Sequence, residues 1–338
     1  MNQEILARTI IETLVNKFFR DVQEDPDRSI RNMIDLGINF ARGRFQKEFF
    51  QILQEMLKNE QSAYYTLVKN AVQNVDQERL RTFGMNLGFY GCTIGANMIR
   101  ENEDRWNFNI PWAFNIPYGL DGLAVPYVDK IISEGKALGS YVYILIQQGP
   151  LTEEHKNLLK IHDDCAFLLL SPAEDLMGDQ AELLTQINNC LILVEDQPVY
   201  LSEVCDELRK LGLFYGVYTK NNDSEKVWSA ENLERIANTK SSFYVLMPEQ
   251  RYDFKEDPQQ RELANEFRSQ QEYPFLMIDY VSDIQKIDRI VSNDSCAVAF
   301  DKDGSVYTDT GKWKESPYNI CHMSLFDILS KVTKKIET

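Results

Sequence analysis

Apolar positions recur three and four residues apart through the first hundred residues: Ile5, Ile10, Ile11, Leu14, Val15 and Phe18, then Phe49, Ile52, Leu53 and Met56. That period gives each helix one apolar face and predicts a run of helices over residues 1 to about 103. Asp25-Pro26-Asp27 interrupts the run, with Asp25 placed to cap and Pro26 at the first helical position. Further breaks stand at Asn59 to Ser62 and at Asn74 to Asp76. The last predicted helix, Leu80 to Arg100, carries Gly84, Gly88, Gly91 and Gly95. Each glycine weakens a helix by roughly 1 kcal/mol, so four of them predict close helix packing or a bend. They do not predict a phosphate loop, because no strand precedes them and no Gly-Lys-Ser/Thr follows.

The period changes after the charged segment Glu101 to Arg105. Short apolar runs at Ile110–Ile116, Tyr141–Ile146, Ala166–Leu170, Leu191–Val194, Phe214–Tyr218, Phe243–Met247 and Phe275–Ile278 read as strands. Helical segments fall between them near 126–138, 152–161, 178–188, 199–211, 229–239 and 256–270. This alternation means βαβ crossovers and a parallel sheet. The expected fold class is α/β, a partial or complete (β/α) barrel over residues 104–338 behind an all-helical domain of residues 1–103. Near the end, Cys296–Phe300 and Ser305–Thr308 form an expected hairpin that turns at Asp303-Gly304, with a closing helix at Ser324–Thr333. The turn is not a calcium loop, since Lys312 stands where the twelfth-position acid belongs.

Composition adds limits. At 43% hydrophobic and 26% charged, the 338-residue chain is an ordinary folding sequence. No run of about eighteen apolar residues predicts a membrane span. The amphipathic N-terminus, with Glu4 and no small-residue cleavage site, does not read as a secretory signal, so the expected location is cytoplasmic. The net charge of −16 argues against a nucleic-acid partner. The densest basic stretch, Arg42 to Lys47, meets Glu48 at once and reads as solvated helix surface.

Candidate chemistry is sparse. The six cysteines, at 92, 165, 190, 205, 296 and 321, include no pair spaced to seed a zinc or iron–sulfur site. Cys165 and Cys190 each open an apolar run and read as small buried hydrophobes, and disulfides are not expected. His155 and His162 flank a predicted helix, and His322 precedes the closing one. No Gly-x-Ser-x-Gly nucleophile elbow occurs. Glu195-Asp196, at a strand's C-terminal end where barrel chemistry concentrates, is the best carboxylate pair, with a solvated loop as its plain alternative. Trp106 and Trp112, six apart around the first strand, share a nominal face and read as core.

The order of elements and several strand cores resemble the bacterial radical SAM proteins of gut-commensal type. Asn109-Ile110-Pro111-Trp112-Ala113 matches that family's "NIPWA" strand, which runs into a CxxxCxxC loop holding a [4Fe–4S] cluster. Gln147-Gln148-Gly149-Pro150-Leu151 stands where the family has "GGEPL", whose backbone meets the amino group of S-adenosylmethionine. HDDCAFLLLSPAEDL resembles the third strand, Leu193-Val194-Glu195-Asp196 the fourth with Glu195 at the matching acid, Phe214–Tyr218 the fifth and Tyr244–Pro248 the sixth. In the C-terminal hairpin, Asp309 takes the place of a cysteine from the family's auxiliary-cluster region. The departure lies at Tyr118 to Pro126, a shortened loop with no cysteine.

The resemblance implies a radical SAM type of barrel without its cluster. Three thiolates are missing, and carboxylate or water donors are too hard to replace them. No [4Fe–4S] cluster, no resident cofactor, no metal and no catalytic residue are therefore expected. The leading reading is a catalytically inactive binding or regulatory module that pairs with an active radical SAM relative or with a peptide. A second reading keeps S-adenosylmethionine or another nucleotide at the barrel mouth, lined by Gln147, Gln148, Gly149, Glu195 and Tyr218. A third is a cluster-independent hydrolase using His162 with Glu195 and Asp196.

Overall fold

The computed structural model describes residues 3–22, 24–40, 44–220, 224–292, 294–313 and 318–335. Helices α1 (Gln3–Asp21), α2 (Pro26–Phe40), α3 (Arg44–Met56), α4 (Tyr64–Asn74) and α5 (Gln77–Met85) lead into a π-helical stretch, Asn86–Ile94, and then α6 (Gly95–Trp106). Breaks fall where capping residues stop the chain. Asp25 Oδ1 accepts from the Arg28 N–H at 3.2 Å, and the Asp76 carboxylate accepts from the N–H groups of Glu78 and Arg79. Arg42 and Gly43 of the basic stretch lie outside the described residues, as do the side chains of Ile5, Ile10, Leu14, Arg44, Phe45, Gln46 and Phe49.

Strand and helix then alternate: β1 (Ala113–Tyr118), α7 (Val125–Leu138), β2 (Val142–Gln147), α8 (Glu153–Ile161), β3 (Ala166–Ser171), α9 (Asp179–Leu184), β4 (Cys190–Glu195), α10 (Leu201–Lys210) and β5 (Tyr215–Lys220). After these come α11 (Ser224–Val227), α12 (Ala230–Asn238), β6 (Phe243–Met247), α13 (Pro258–Gln270), β7 (Leu276–Asp279) and α14 (Tyr280–Val291). The chain closes with β8 (Val298–Phe300), β9 (Val306–Thr308), β10 (Gly311–Lys312) and α15 (Leu325–Val332). Among the described residues the ten strands form one sheet in the order β10-β9-β8-β1-β2-β3-β4-β5-β6-β7. β1 to β7 pair in parallel, β8 joins β1 in parallel, and β9 and β10 run antiparallel. Because β7 pairs only with β6 and β8 turns into the hairpin, the barrel is partial.

The apolar runs are continuous because both faces of these strands are covered. Tyr143 marks the helix side: its hydroxyl donates to the Ile132 carbonyl of α7 at 3.0 Å. By alternation and register, Phe114, Ile116, Tyr118, Leu145, Gln147, Leu169 and Ser171 share that side. Asn115, Ile144, Leu193, Glu195, Tyr218 and Lys220 face the concave interior.

The helical region floors the sheet at the N-terminal ends of its strands. Asn86 Nδ2 donates to the carbonyls of Asp163 and Cys165, both at 2.7 Å, ahead of β3. Arg79 reaches the carbonyls of Leu184, Thr185 and Ile187 ahead of β4. The Asp76 N–H bonds Gly212 ahead of β5, the Ala63 N–H bonds Gln271 ahead of β7, and Arg100 bonds Val291 ahead of β8. The main apolar core includes Val75, Phe83, Cys92, Ala96 and Ile99 together with the strands, while Ile30, Ile34 and Tyr65 form a small separate cluster. Trp112 donates to the Gly91 carbonyl at 3.2 Å on this floor, whereas Trp106 stacks on Phe108 and meets Phe326 of α15. The two tryptophans therefore serve different contacts and share no face.

Candidate functional site

The floor leaves the C-terminal strand ends as the free mouth of the partial barrel, the end where α/β barrels carry chemistry. On β4 and β5, Glu195 and Tyr218 stand opposite each other in register. The Tyr218 hydroxyl donates to Glu195 Oε2 at 3.2 Å, and Lys220 Nζ donates to Oε1 at 2.6 Å. Tyr218 is buried, and burial together with the Glu195 charge pushes its pKa well above the ordinary tyrosine value. It is held as a neutral donor and offers no phenolate nucleophile.

Gln148 and Gly149 form the adjoining rim. The Gln148 amide satisfies its neighbours when Oε1 accepts from Arg251 and Nε2 donates to the Asp121 carbonyl at 3.3 Å. Arg251 comes from the loop after β6, and its charge also reaches Tyr218. That same loop crosses the open seam of the sheet: the Tyr252 hydroxyl donates to the Phe300 carbonyl at 2.7 Å, and its ring lies 4.4 Å from that of Tyr307. Asp175, on the loop after β3, has its pKa raised by burial and by the charges of Glu174 and Asp121. Carboxylates and the Arg251 guanidinium thus both stand at the mouth around Tyr218.

Gln147 stands apart from this group. It lies on the helix-facing side of β2, where it accepts from Ser171 Oγ at 2.5 Å and donates to the Gly149 carbonyl at 3.1 Å. Glu195 and Tyr218 project from the other face, so Gln147 supports the rim without lining the concave interior. The residues that sequence reasoning missed are Lys220, Arg251 and Asp175. Lys220 was within reach, since it lies two residues beyond Tyr218 on the same face. Arg251 left no local signal, because a loop brings it there.

The loop between β1 and α7 is sealed onto the loop after β2. The Leu120 N–H bonds the Pro150 carbonyl at 3.1 Å, the Asp121 N–H bonds that of Gln148 at 3.0 Å, and the Gln148 N–H bonds that of Tyr118 at 2.7 Å. Gly119 has φ +114° and Gly149 has φ +71°; a Cβ at either would stand within 2.6 Å of the opposite loop. The residues here do not fit an iron–sulfur cluster: the segment has no thiol, and its backbone is already paired with its neighbour. Cys165 and Cys190 lie at the N-terminal ends of their strands, away from the mouth, and Cys92 lies in the floor. Burial raises the pKa of all six cysteines, Cys190 and Cys205 to about 12, so they are thiols at neutral pH.

The hydrolase grouping does not assemble. His162 precedes β3 at the floor and bonds Asp129 Oδ1 at 2.8 Å, whereas Glu195 ends the neighbouring β4. At roughly 3.3 Å per residue, the length of β4 separates the two by about 16 Å. Asp196 is held bidentately by Arg235 at 2.8 and 2.6 Å. His155 is spent on the start of α8, where its ring meets Thr152. A cleft of about 440 Å³ lies at the floor, where Arg8 pairs with Glu12 and Arg81 with Glu78. Among the described residues no helix is long and apolar enough to cross a membrane.

The sequence matches no family model and no curated protein. Solved structures do match. Streptococcus suis SuiB, a radical SAM enzyme, bound to precursor peptide SuiA aligns with a TM-score of 0.52 at 10% identity, covering 69% of this chain and 67% of that one. SuiB bound to S-adenosylmethionine aligns with a TM-score of 0.50 at 11% identity over 69% and 67% of the two chains. A further SuiB structure aligns at 0.50 and 10% identity over 69% of each. At such identity the likeness concerns the fold alone: this chain has a radical-SAM-like α/β fold, a partial barrel preceded by helices.

Proposed function

We propose that this chain is a radical-SAM-like scaffold without radical chemistry, acting as a binding module through its C-terminal mouth. The observation that carries this reading is the β1–α7 loop, which lacks thiols and is hydrogen-bonded through Leu120 and Asp121 to Pro150 and Gln148. Decay of the neighbouring cofactor motif to Gln147-Gln148-Gly149 supports it. Anaerobic incubation with iron and sulfide tests it. Desalted protein is expected to retain neither metal nor thiolate-to-iron absorbance, and a stoichiometric cluster overturns the proposal.

The SuiB structures with S-adenosylmethionine and with a peptide favour a second reading, in which the mouth keeps a small ligand. Glu195 would accept from a hydroxyl or ammonium group, Tyr218 and Lys220 would donate, and Gln148 and Gly149 would form the rim. Calorimetric titration with S-adenosylmethionine and related nucleosides is expected to give heat that Glu195→Gln reduces. No heat with any of them removes this reading.

A further inference from the structure

Residues 163–208 contain eleven aspartates and glutamates and not one lysine or arginine, although these two make up 36 of the 338 residues. The stretch runs from the turn before β3 through most of α10, so it builds one sector of the partial barrel. At its C-terminal rim, Met177 is 39% and Val199 81% exposed. Leu120, on the loop after β1, is 63% exposed. Single apolar side chains on a surface are ordinary. These three, however, lie on loops that hydrogen bonds join into a continuous rim. The Leu120 N–H bonds Pro150, the Leu151 N–H bonds Gln180 Oε1 at 2.8 Å, and the Glu174 N–H bonds Gln197 Oε1 at 3.3 Å.

Five carboxylates of this sector, Glu174, Asp175, Asp179, Glu182 and Glu203, have no ion-pair partner among the described residues. Of the cations at the mouth, Lys220 is paired with Glu195 and Arg235 with Asp196, and Arg251 is held on the Gln148 amide. Unburied apolar side chains beside carboxylates of one sign specify a complementary surface. Nucleic acid and anionic lipid have the wrong charge. A second copy meeting this face across a two-fold axis would set acid against acid.

We propose that the rim formed by Leu120, Met177 and Val199 with Glu174, Asp175 and Asp179 docks a cationic polypeptide segment whose lysines or arginines flank an apolar side chain. The proposal rests on the binding-module reading and adds the partner's chemistry and the surface it meets. The probe is a fluorescent peptide of three Lys-Leu-Lys-Ser repeats, titrated against the full chain and followed by anisotropy at physiological salt. Saturable binding is expected. Glu174→Lys with Asp179→Lys weakens it roughly tenfold or more, and Met177→Ser with Val199→Ser roughly fivefold. All four side chains are solvent-exposed, so melting curves should show both variants folded. Glu55→Lys, on α3, leaves affinity unchanged, and replacing the probe's leucines by serine abolishes saturation. Three results overturn the proposal: no saturable binding, equal binding of the leucine-free probe, or affinity indifferent to the rim substitutions. Cluster reconstitution and nucleoside titration have readouts independent of the peptide probe. A silent probe beside an absent cluster would therefore remove the docking surface and leave the inactive-scaffold reading standing.

Discussion

Gly84 and Gly95 belong to one helical run yet answer to different constraints. A Cβ on Gly95 would lie 2.2 Å from the Gly139 carbonyl ahead of β2, whereas one on Gly84 would meet nothing within 4 Å. Gly95→Ala should therefore cost about 1–3 kcal/mol in urea unfolding, and Gly84→Ala should gain about 0.5–1 kcal/mol. Gains at both sites would show that helix propensity alone governs them. The same contrast explains what single residues disclosed. Glycine spacing announced close packing, which Gly91 and Gly95 provide, but could not say which glycines needed it. Glu195 and Tyr218 were each named for the mouth, but that they stand opposite each other in register came only from the strand pairing, the sequence having paired Glu195 with Asp196. Gln147 was misplaced because facing is a parity: one position along a strand moves a side chain to the other side of the sheet.

At the level of elements, the seven central strands lay within three residues of their expected bounds, since apolar runs between turn residues mark a buried parallel strand well. Short elements such as α11 and β10 escaped, and two larger features did too. The expected helix Leu80–Arg100 is α5, a π-helical stretch and α6, a change of hydrogen-bond pattern that leaves no mark in apolar spacing. Helix α14 was missed because Tyr280 follows β7 directly, with no turn residues between them. How the helical region meets the sheet was also hidden, because long-range polar contacts have no period. Arg79 is the clearest case, a buried guanidinium bonded to three carbonyls ahead of β4. Arg79→Met should cost about 2–4 kcal/mol by leaving those acceptors unpaired. Arg81→Met, which removes a surface pair with Glu78, should cost no more than about 1 kcal/mol. Equal losses in the two variants would mean that α5 is not stapled to the floor through Arg79.

In the whole molecule, the open sheet must be tied where β8 rejoins β1, and a buried carboxylate makes that tie. Asp288 of α14 accepts from the Trp112 N–H before β1 at 2.9 Å and from the Cys296 N–H before β8 at 2.5 Å. Its pKa is raised from 3.8 to about 7, chiefly by burial, with the charges of Glu103 and Asp294 adding to it against the two backbone bonds. A carboxyl whose pKa is higher folded than unfolded binds its proton more tightly in the native state. The stability it contributes is therefore complete below about pH 4 and is lost as pH rises toward 7, at no more than about 1.4 kcal/mol per pH unit. Asp288→Asn abolishes this titration. The variant should be the less stable protein in acid, because one of the two N–H groups loses its acceptor, and the gap should narrow steadily from pH 4 to 7. Urea midpoints for both proteins across that range provide the check. A gap independent of pH would mean that Asp288 has the same pKa folded and unfolded, its two backbone donors offsetting its burial, and a gap that widens with pH would mean that the donors win.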